Sequence, residues 1–285
     1  MCQYLSDLSI AIIGAIVGIG GAFYIFQETI QTNRKIDREK QEEYQRNRMR
    51  FIVNLLREVL EKSKEQISHF ETQGNSIKDN PFKIHYPQLL ASNQMDRLNG
   101  IDSQSVFEGY VLLFGDSEET VKSYNKMFYQ IDFLDKRMHQ LMQSNEKNIM
   151  SIAQDQEQMR LSVDDLYSRF PEFYDFLGKE KYYQMMESFN KYIGTGEVDI
   201  RSLHNEFLIP LFKEVQQMQE SDQNRIAMQG QLIILIRNCT SRIEHLKVNN
   251  INYAEEEAMK IGGEVKNVFA SLENITTRLE KRMDS

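Results

Sequence analysis

The sequence predicts an all-α protein: a single N-terminal transmembrane helix, then a long juxtamembrane helix and a cytoplasmic multi-helix bundle. Three observations carry that expectation. One uninterrupted apolar run lies near the N-terminus. The rest of the chain repeats its apolar residues at three- and four-residue steps, the spacing that places side chains on one face of an α-helix. The composition has no tryptophan and 4 prolines, but 14 methionines, 16 phenylalanines and 13 tyrosines, which suits helix-helix cores better than sheets.

Taken in order, the first element is the anchor. Residues 8–26 (LSIAIIGAIVGIGGAFYIF) are all apolar, glycine, serine or tyrosine. About 19 residues at ~1.5 Å rise cross a hydrocarbon core of ~30 Å. A cleaved signal peptide opens with a positive n-region and closes on an A-x-A-like site. MCQYLSDLS carries Asp7 and no Lys or Arg, so the run reads as an uncleaved span preceded by a short extracytoplasmic tail, 1–7. No basic residue precedes the span, whereas Arg34, Lys35, Arg38 and Lys40 follow it. The positive-inside rule therefore sets the N-terminus outside and the body in the cytoplasm, at a bacterial inner membrane. Within the span Ala11, Gly14, Gly18 and Gly21 recur at three- and four-residue steps. They leave one face almost without side chains, where a second copy can pack closely. The lipid bilayer and a homo-oligomer are the partners this segment implies.

Residues 27–73 contain no proline or glycine and read as a juxtamembrane stalk continuing into the first bundle helix. Phe51, Leu55, Val59 and Ile52, Leu56, Leu60 make its apolar stripe. Gly74-Asn75-Ser76 and Asp79-Asn80-Pro81 then predict a loop or hinge over 74–86, with a cytoplasmic helical body over 87–285. Short helices are expected over 87–98 and 103–114. Gly115-Asp116-Ser117 followed by Glu118 and Glu119 marks a helix start, since acidic residues complement the positive end of the helix dipole. That helix runs to about 168, with Val121, Tyr124, Phe128, Ile131, Met138 and Met142 on one face. Pro171 and Gly178 punctuate a segment rich in rings, among them Phe173, Tyr174, Tyr182 and Tyr183, expected to be core at a helical corner or else a partner or ligand cluster. Gly194-Thr195-Gly196 ends it.

Three more helices are predicted near 199–218, kinked by Pro210, and over 224–248 and 252–283. The run Leu232-Ile233-Ile234-Leu235-Ile236 reads as helix, apolar on all sides, because the pattern continues through Cys239, Ile243 and Leu246. Ile261, Val265, Val268, Leu272, Ile275 and Leu279 fall on a heptad seam that zips onto the bundle or onto another subunit.

Chemistry is sparse by comparison. A net charge of -8 argues against a surface built for nucleic acid. The 2 cysteines, Cys2 and Cys239, stand far apart and form no framework. None of the 5 histidines falls in an H-E-x-x-H or comparable arrangement, so no metal is expected, and no phosphate loop, nucleophile elbow or dinucleotide fingerprint calls for a cofactor. One enzymatic alternative fits an all-α bundle. HEPN-type ribonucleases carry an Arg and a His four to six residues apart near a helix start. The nearest approach here is Arg237 or Arg242 with His245, and neither pair has that spacing; they would have to meet across a dimer on a distorted helix. The simpler reading is the polar edge of a buried helix, and the chain is expected more to bind than to catalyse.

Residues 124–131, YNKMFYQI, resemble the Y-x-x-x-x-Y-Q-I stretch of bacterial proteins described as abortive-infection (anti-phage) proteins, which also join membrane helices to a helical cytoplasmic body. The chain departs from that group in having one recognisable span where those commonly have two. The resemblance implies an accessory or effector role beside a protein partner of a defence system, and carries over no catalytic residue. The expected function is a self-associating, membrane-anchored interaction protein; the alternatives are a membrane-bound HEPN-like ribonuclease and a sensor or scaffold subunit of another membrane complex.

Overall fold

The computed structural model describes residues 2–90, 93–193 and 199–284, with the backbone alone for 2–18 and 193. It is 90% helix, and no strand occurs among the described residues, so the all-α expectation holds. In order come α1 (Cys2–Asp79), α2 (Gln94–Asn99), α3 (Ser103–Phe114), α4 (Glu118–Arg169), a 3-10 turn (Phe170–Phe173), α5 (Tyr174–Leu177) and α6 (Lys179–Ile193). After them come α7 (Ile200–Ser202), a π-helical turn (Leu203–Leu208), α8 (Ile209–Gln217), α9 (Gln223–Tyr253), a second π-turn (Ala254–Ala258) and α10 (Lys260–Met283).

Local chemistry accounts for most boundaries. Asp102 caps α3 by accepting from Gln104 N and Ser105 N, and Ser117 Oγ accepts from Thr120 N at the start of α4. Gly115 and Gly178 sit at φ of 82° and 80°, a conformation open to glycine and costly for other residues, and each ends a helix.

Three boundaries differ from the sequence expectation. The loop expected over 74–86 starts later, because α1 continues through Gly74 to Asp79. A Cβ on Gly74 would stand 2.7 Å from Met259 Cγ and 3.4 Å from Ala258 Cβ, so this glycine serves close packing against the second π-turn instead of a break. Likewise the helices expected over 224–248 and 252–283 do not part at 249–251. Asn250 is helical and fully buried, and the irregularity falls at the π-turn, where Met259 N donates to Ala254 O. Residues 87–90, expected to be helical, are not; they belong to a non-helical segment, 80–90, that opens with a turn at 81–82.

The chain divides into two units. The first comprises Met1–Val59, Asn93–Tyr129 and Leu272–Ser285; the second comprises Leu60–Ser92 and Gln130–Ser271. In the first, Met49, Ile52 and Leu56 of α1 are buried, and Tyr110 of α3 shares a hydrogen bond with Ser123 of α4 at 2.8 Å. Arg57 and Glu280 form an ion pair, and Arg278 lies 5.5 Å over the Phe114 ring.

In the second unit α4, α6, α8, α9 and the first π-turn close a large apolar core around Leu166, Phe170, Phe189, Phe207, Leu232 and Ile243. Segment 80–90 lies in this unit, held by side-chain amides. Gln66 Nε2 donates to Gln88 O while its Oε1 accepts from Leu90 N, and Gln73 Nε2 donates to His85 O. Gln156 Nε2 donates to Phe82 O, and Asn250 Nδ2 donates to Pro81 O and Lys83 O. A non-helical segment in a helical body has no regular backbone partner, and these carboxamides supply the one it lacks. Tyr253 Oη donates to Gln73 Oε1 and Asn145 Oδ1, which fixes the amides in turn.

Among the described residues no helix is long and apolar enough to cross a membrane. The side chains of 8–18, the greater part of the expected span, lie outside the described residues, and with them Ala11, Gly14 and Gly18 of the expected association face.

Candidate functional site

Two regions of the chain present side chains whose needs the rest of the chain leaves unmet. The first is the N-terminal part of α1. Ile19, Phe23, Tyr24, Ile25 and Phe26 are 60–71% exposed, and Gly21 has nothing within 4 Å of where a Cβ would be. Arg34, Lys35, Arg38 and Lys40 are exposed as well, with Lys35 reaching Glu39 at 3.9 Å. Burial on α1 begins at Gln45, which donates to Glu108 at 3.2 Å.

The second region is a cleft in the second unit, built around the first π-turn. Asp199 starts this helical run: its carboxyl accepts from Ser202 Oγ at 2.8 Å, the main reason it is held below the usual carboxylate range. Eleven residues on, Pro210 has no N–H for the carbonyl of Glu206, and its ring crowds that oxygen. The helix widens to a π-turn over Leu203–Leu208. The structure thus shows a π-turn in the residues just before Pro210, at which the sequence predicts a kink. Leu203, Phe207 and Leu208 go into the core, Phe207 stacking on Phe189 at 4.6 Å, and His204 is turned inward until only 7% of it is exposed.

His204 Nδ1 lies 3.0 Å from Asn205 Oδ1. The asparagine presents its oxygen, so Nδ1 donates to it. Nε2 is buried without a hydrogen-bond partner; the nearest charged atom is Glu244 Oε1 at 3.5 Å, beyond hydrogen-bonding distance. Opposite, one face of α9 contributes Arg237, Asn238, Thr240, Ser241 and Glu244, and with His204 and Ile209 these line a cleft of about 530 Å³. The Arg237 guanidinium lies 5.6 Å over the Phe212 ring, and no carboxylate pairs with it among the described residues. Glu244 Oε2 is 3.4 Å from Lys247 Nζ.

A smaller cleft of about 210 Å³ lies between α6 and α8, but its charges are already paired, Lys181 with Glu214 at 2.7 Å. Among the described residues no three His, Cys, Asp or Glu side chains gather to hold a metal ion.

The structure separates the residues of the ribonuclease alternative. Arg237 lies in the cleft with His204, whereas His245 faces Asp155 at 3.4 Å and contacts Asn249; Arg242 and His245 do not line the cleft. His204 was not singled out by sequence reasoning. Its one signal is Pro210 six residues later, since a proline that widens a helix re-aims the side chains of the preceding turns.

The aromatic cluster is largely core. Phe173 and Phe189 are fully buried, and Tyr174 and Tyr182 are half-buried with their rings edge to face, centroids 5.1 Å apart. Tyr183 alone of the four expected partner residues stays open, 57% exposed. Arg225 locks the corner, donating to Phe176 O at 3.0 Å while held by Glu220. In the YNKMFYQI stretch, Tyr124, Met127 and Ile131 are buried packing residues, and Tyr124 Oη donates to Ser103 O.

No protein-family model, curated protein or solved structure matches this chain.

Proposed function

We propose that this chain is a single-pass membrane-anchored helical interaction protein that self-associates through its anchor and presents its helical body to a partner in the cytoplasm. One observation supports the reading most. The N-terminal part of α1 carries an apolar stretch whose large side chains, Ile19 and 23–26, stay 60–71% exposed among the described residues. Exposed apolar patches of this kind are costly in water and cost nothing in lipid. The apolar residues 8–18 precede it in sequence, and exposed Arg34, Lys35, Arg38 and Lys40 follow at the distance expected of a cytoplasmic flank. The phage-defence setting rests on the resemblance at 124–131 alone.

The test is membrane partitioning of the full chain after alkaline carbonate extraction, beside a variant with Ile16→Arg and Ala22→Arg. The wild-type chain is expected in the pellet and the double variant in the supernatant, since an arginine at the centre of a span, as at position 16, disfavours insertion by about 2.5–3.5 kcal/mol, and one nearer the end, as at position 22, adds a smaller penalty. Release of the wild-type chain by carbonate would overturn the anchor.

A further inference from the structure

We propose that the cleft between the first π-turn and α9 binds a small phosphate ester that also carries hydroxyl groups, a molecule of about the size of a nucleoside monophosphate. The proposal is independent of the membrane reading.

The lining dictates the ligand's chemistry from both ends. At one end His204 Nε2, which has no hydrogen-bond partner, and Glu244 Oε1 face each other 3.5 Å apart. Nδ1 is already engaged by Asn205, and the histidine is more than nine-tenths buried, so the ring cannot turn away to water. A hydroxyl both donates and accepts, so one placed between the two atoms satisfies them together whichever of them carries a proton. At the other end Arg237 is oriented by its contact with Phe212, and its N–H groups pair with no carboxylate among the described residues. A guanidinium fixed over a ring keeps its edge available for a bidentate oxyanion.

Ser241 and Asn238 stand beside Arg237 on the same face of α9 and add further donors. Arginine's fork engages two oxygens, and a hydroxyl and an amide nearby have use for a third; a phosphate monoester has three and a carboxylate only two. Thr240 is not counted, because its hydroxyl already donates to Arg237 O at 3.1 Å.

Length and volume agree with this composition. Arg237 and Glu244 are seven residues apart on α9, about 10 Å along its axis at helical rise. The cleft of about 530 Å³ falls inside the ~300–1,000 Å³ range of small-molecule sites. A metal is disfavoured, since no third ligand joins His204 and Glu244 among the described residues. The π-turn supplies the geometry: by widening the helix it buries His204 facing α9, the kind of local departure that recurs at functional sites.

The experiment is equilibrium dialysis of the full-length chain in mild detergent against radiolabelled adenosine 5′-monophosphate, with adenosine and inorganic phosphate as separate probes. Saturable binding of the monophosphate at one per chain is expected, with both fragments bound more weakly. Arg237→Gln is expected to weaken binding by about tenfold to a hundredfold, as loss of a charge-assisted bidentate contact does, and Ser241→Ala by a smaller factor. Both positions are exposed, so these variants are expected to keep the wild-type circular dichroism and melting curve. Lys181→Gln, in the other cleft, should leave affinity unchanged. No saturable uptake up to millimolar monophosphate would overturn the proposal, as would undiminished binding by a folded Arg237→Gln. Inorganic phosphate or adenosine binding as tightly as the monophosphate would also overturn it, because one end of the cleft would then contribute nothing.

Discussion

Asn250→Leu measures how much buried carboxamides contribute to holding segment 80–90. The asparagine is fully buried on α9, its Nδ2 lies 2.9 Å from Pro81 O and 3.3 Å from Lys83 O, and its Oδ1 accepts from Asn148 Nδ2 at 3.3 Å. Leucine fills a similar volume but leaves two carbonyls and an N–H without partners. Each of the three buried orphans costs about 1–3 kcal/mol, and the leucine's own burial returns about 2 kcal/mol, so a net loss of roughly 1–7 kcal/mol is expected. Asn148→Ala, which removes a single longer bond, should cost about 1 kcal/mol. Urea unfolding of the full chain followed by circular dichroism reads the stability. Hydrogen-exchange mass spectrometry locates it: peptides covering 80–90 should exchange faster, and those of α3 at the wild-type rate. A loss below about 1 kcal/mol, or an exchange change that spares 80–90, would refute the reasoning and leave apolar burial as what holds the segment.

Other outcomes follow from single positions. Gly230 lies inside α9 with nothing within 4 Å of a new Cβ, so Gly230→Ala should raise stability by about 0.5–1 kcal/mol, whereas Gly74→Ala, facing Met259 Cγ at 2.7 Å, should lower it by about 1–3 kcal/mol; urea midpoints of the two variants decide the sign. Cys239 is fully buried, its Sγ donating to Ser162 O at 3.1 Å, and burial pushes its thiol from 9.0 up to about 12. The folded chain thus keeps a proton that the unfolded chain loses. Stability should be complete below pH of about 9 and fall towards about 12, by up to about 4 kcal/mol at about 1.4 kcal/mol per pH unit. Burial raises the Tyr253 hydroxyl in the same sense, so Cys239→Ala should flatten part of that decline and leave the remainder, read as urea midpoints at pH 8.5 and 10.5. If Gly14→Ile with Gly18→Ile leaves oligomer size by native mass spectrometry unchanged, the association face proposed for the anchor is not an interface; a smaller assembly is expected.

The helix positions were legible where the cause is local. Spacing and caps placed α3 at Ser103–Phe114, the start of α4 beside Ser117 and the helical run near Pro210 close to where they stand, because periodicity, an Asp or Ser cap and a proline each act within a turn or two. Leu232-Ile233-Ile234-Leu235-Ile236 is helical as expected, though Ile234 is 59% exposed, so the helix is not buried all round. Reading failed where a residue type has two uses. Glycine ends helices and also permits close approach; Gly74 does the second because Met259 lies across from it. Asparagine favours turns and also donates two N–H groups; Asn250 does the second because carbonyls of 80–90 lie within reach.

By itself the sequence determined that the described chain is all-α, and it marked Arg237, together with Arg242 and His245, as the polar edge of a buried helix. Helical periodicity is written in near neighbours and needs no knowledge of the fold. Only the tertiary structure decided that Arg237 shares a cleft with His204, not with His245, and that Tyr174 and Tyr182 pack against each other while Tyr183 stays open. The cleft exists because Pro210 widens one helix just where another, more than twenty residues away in sequence, passes with Arg237, Ser241 and Glu244 facing it. Such a meeting depends on how separate helices pack, and no local pattern of residues specifies that packing.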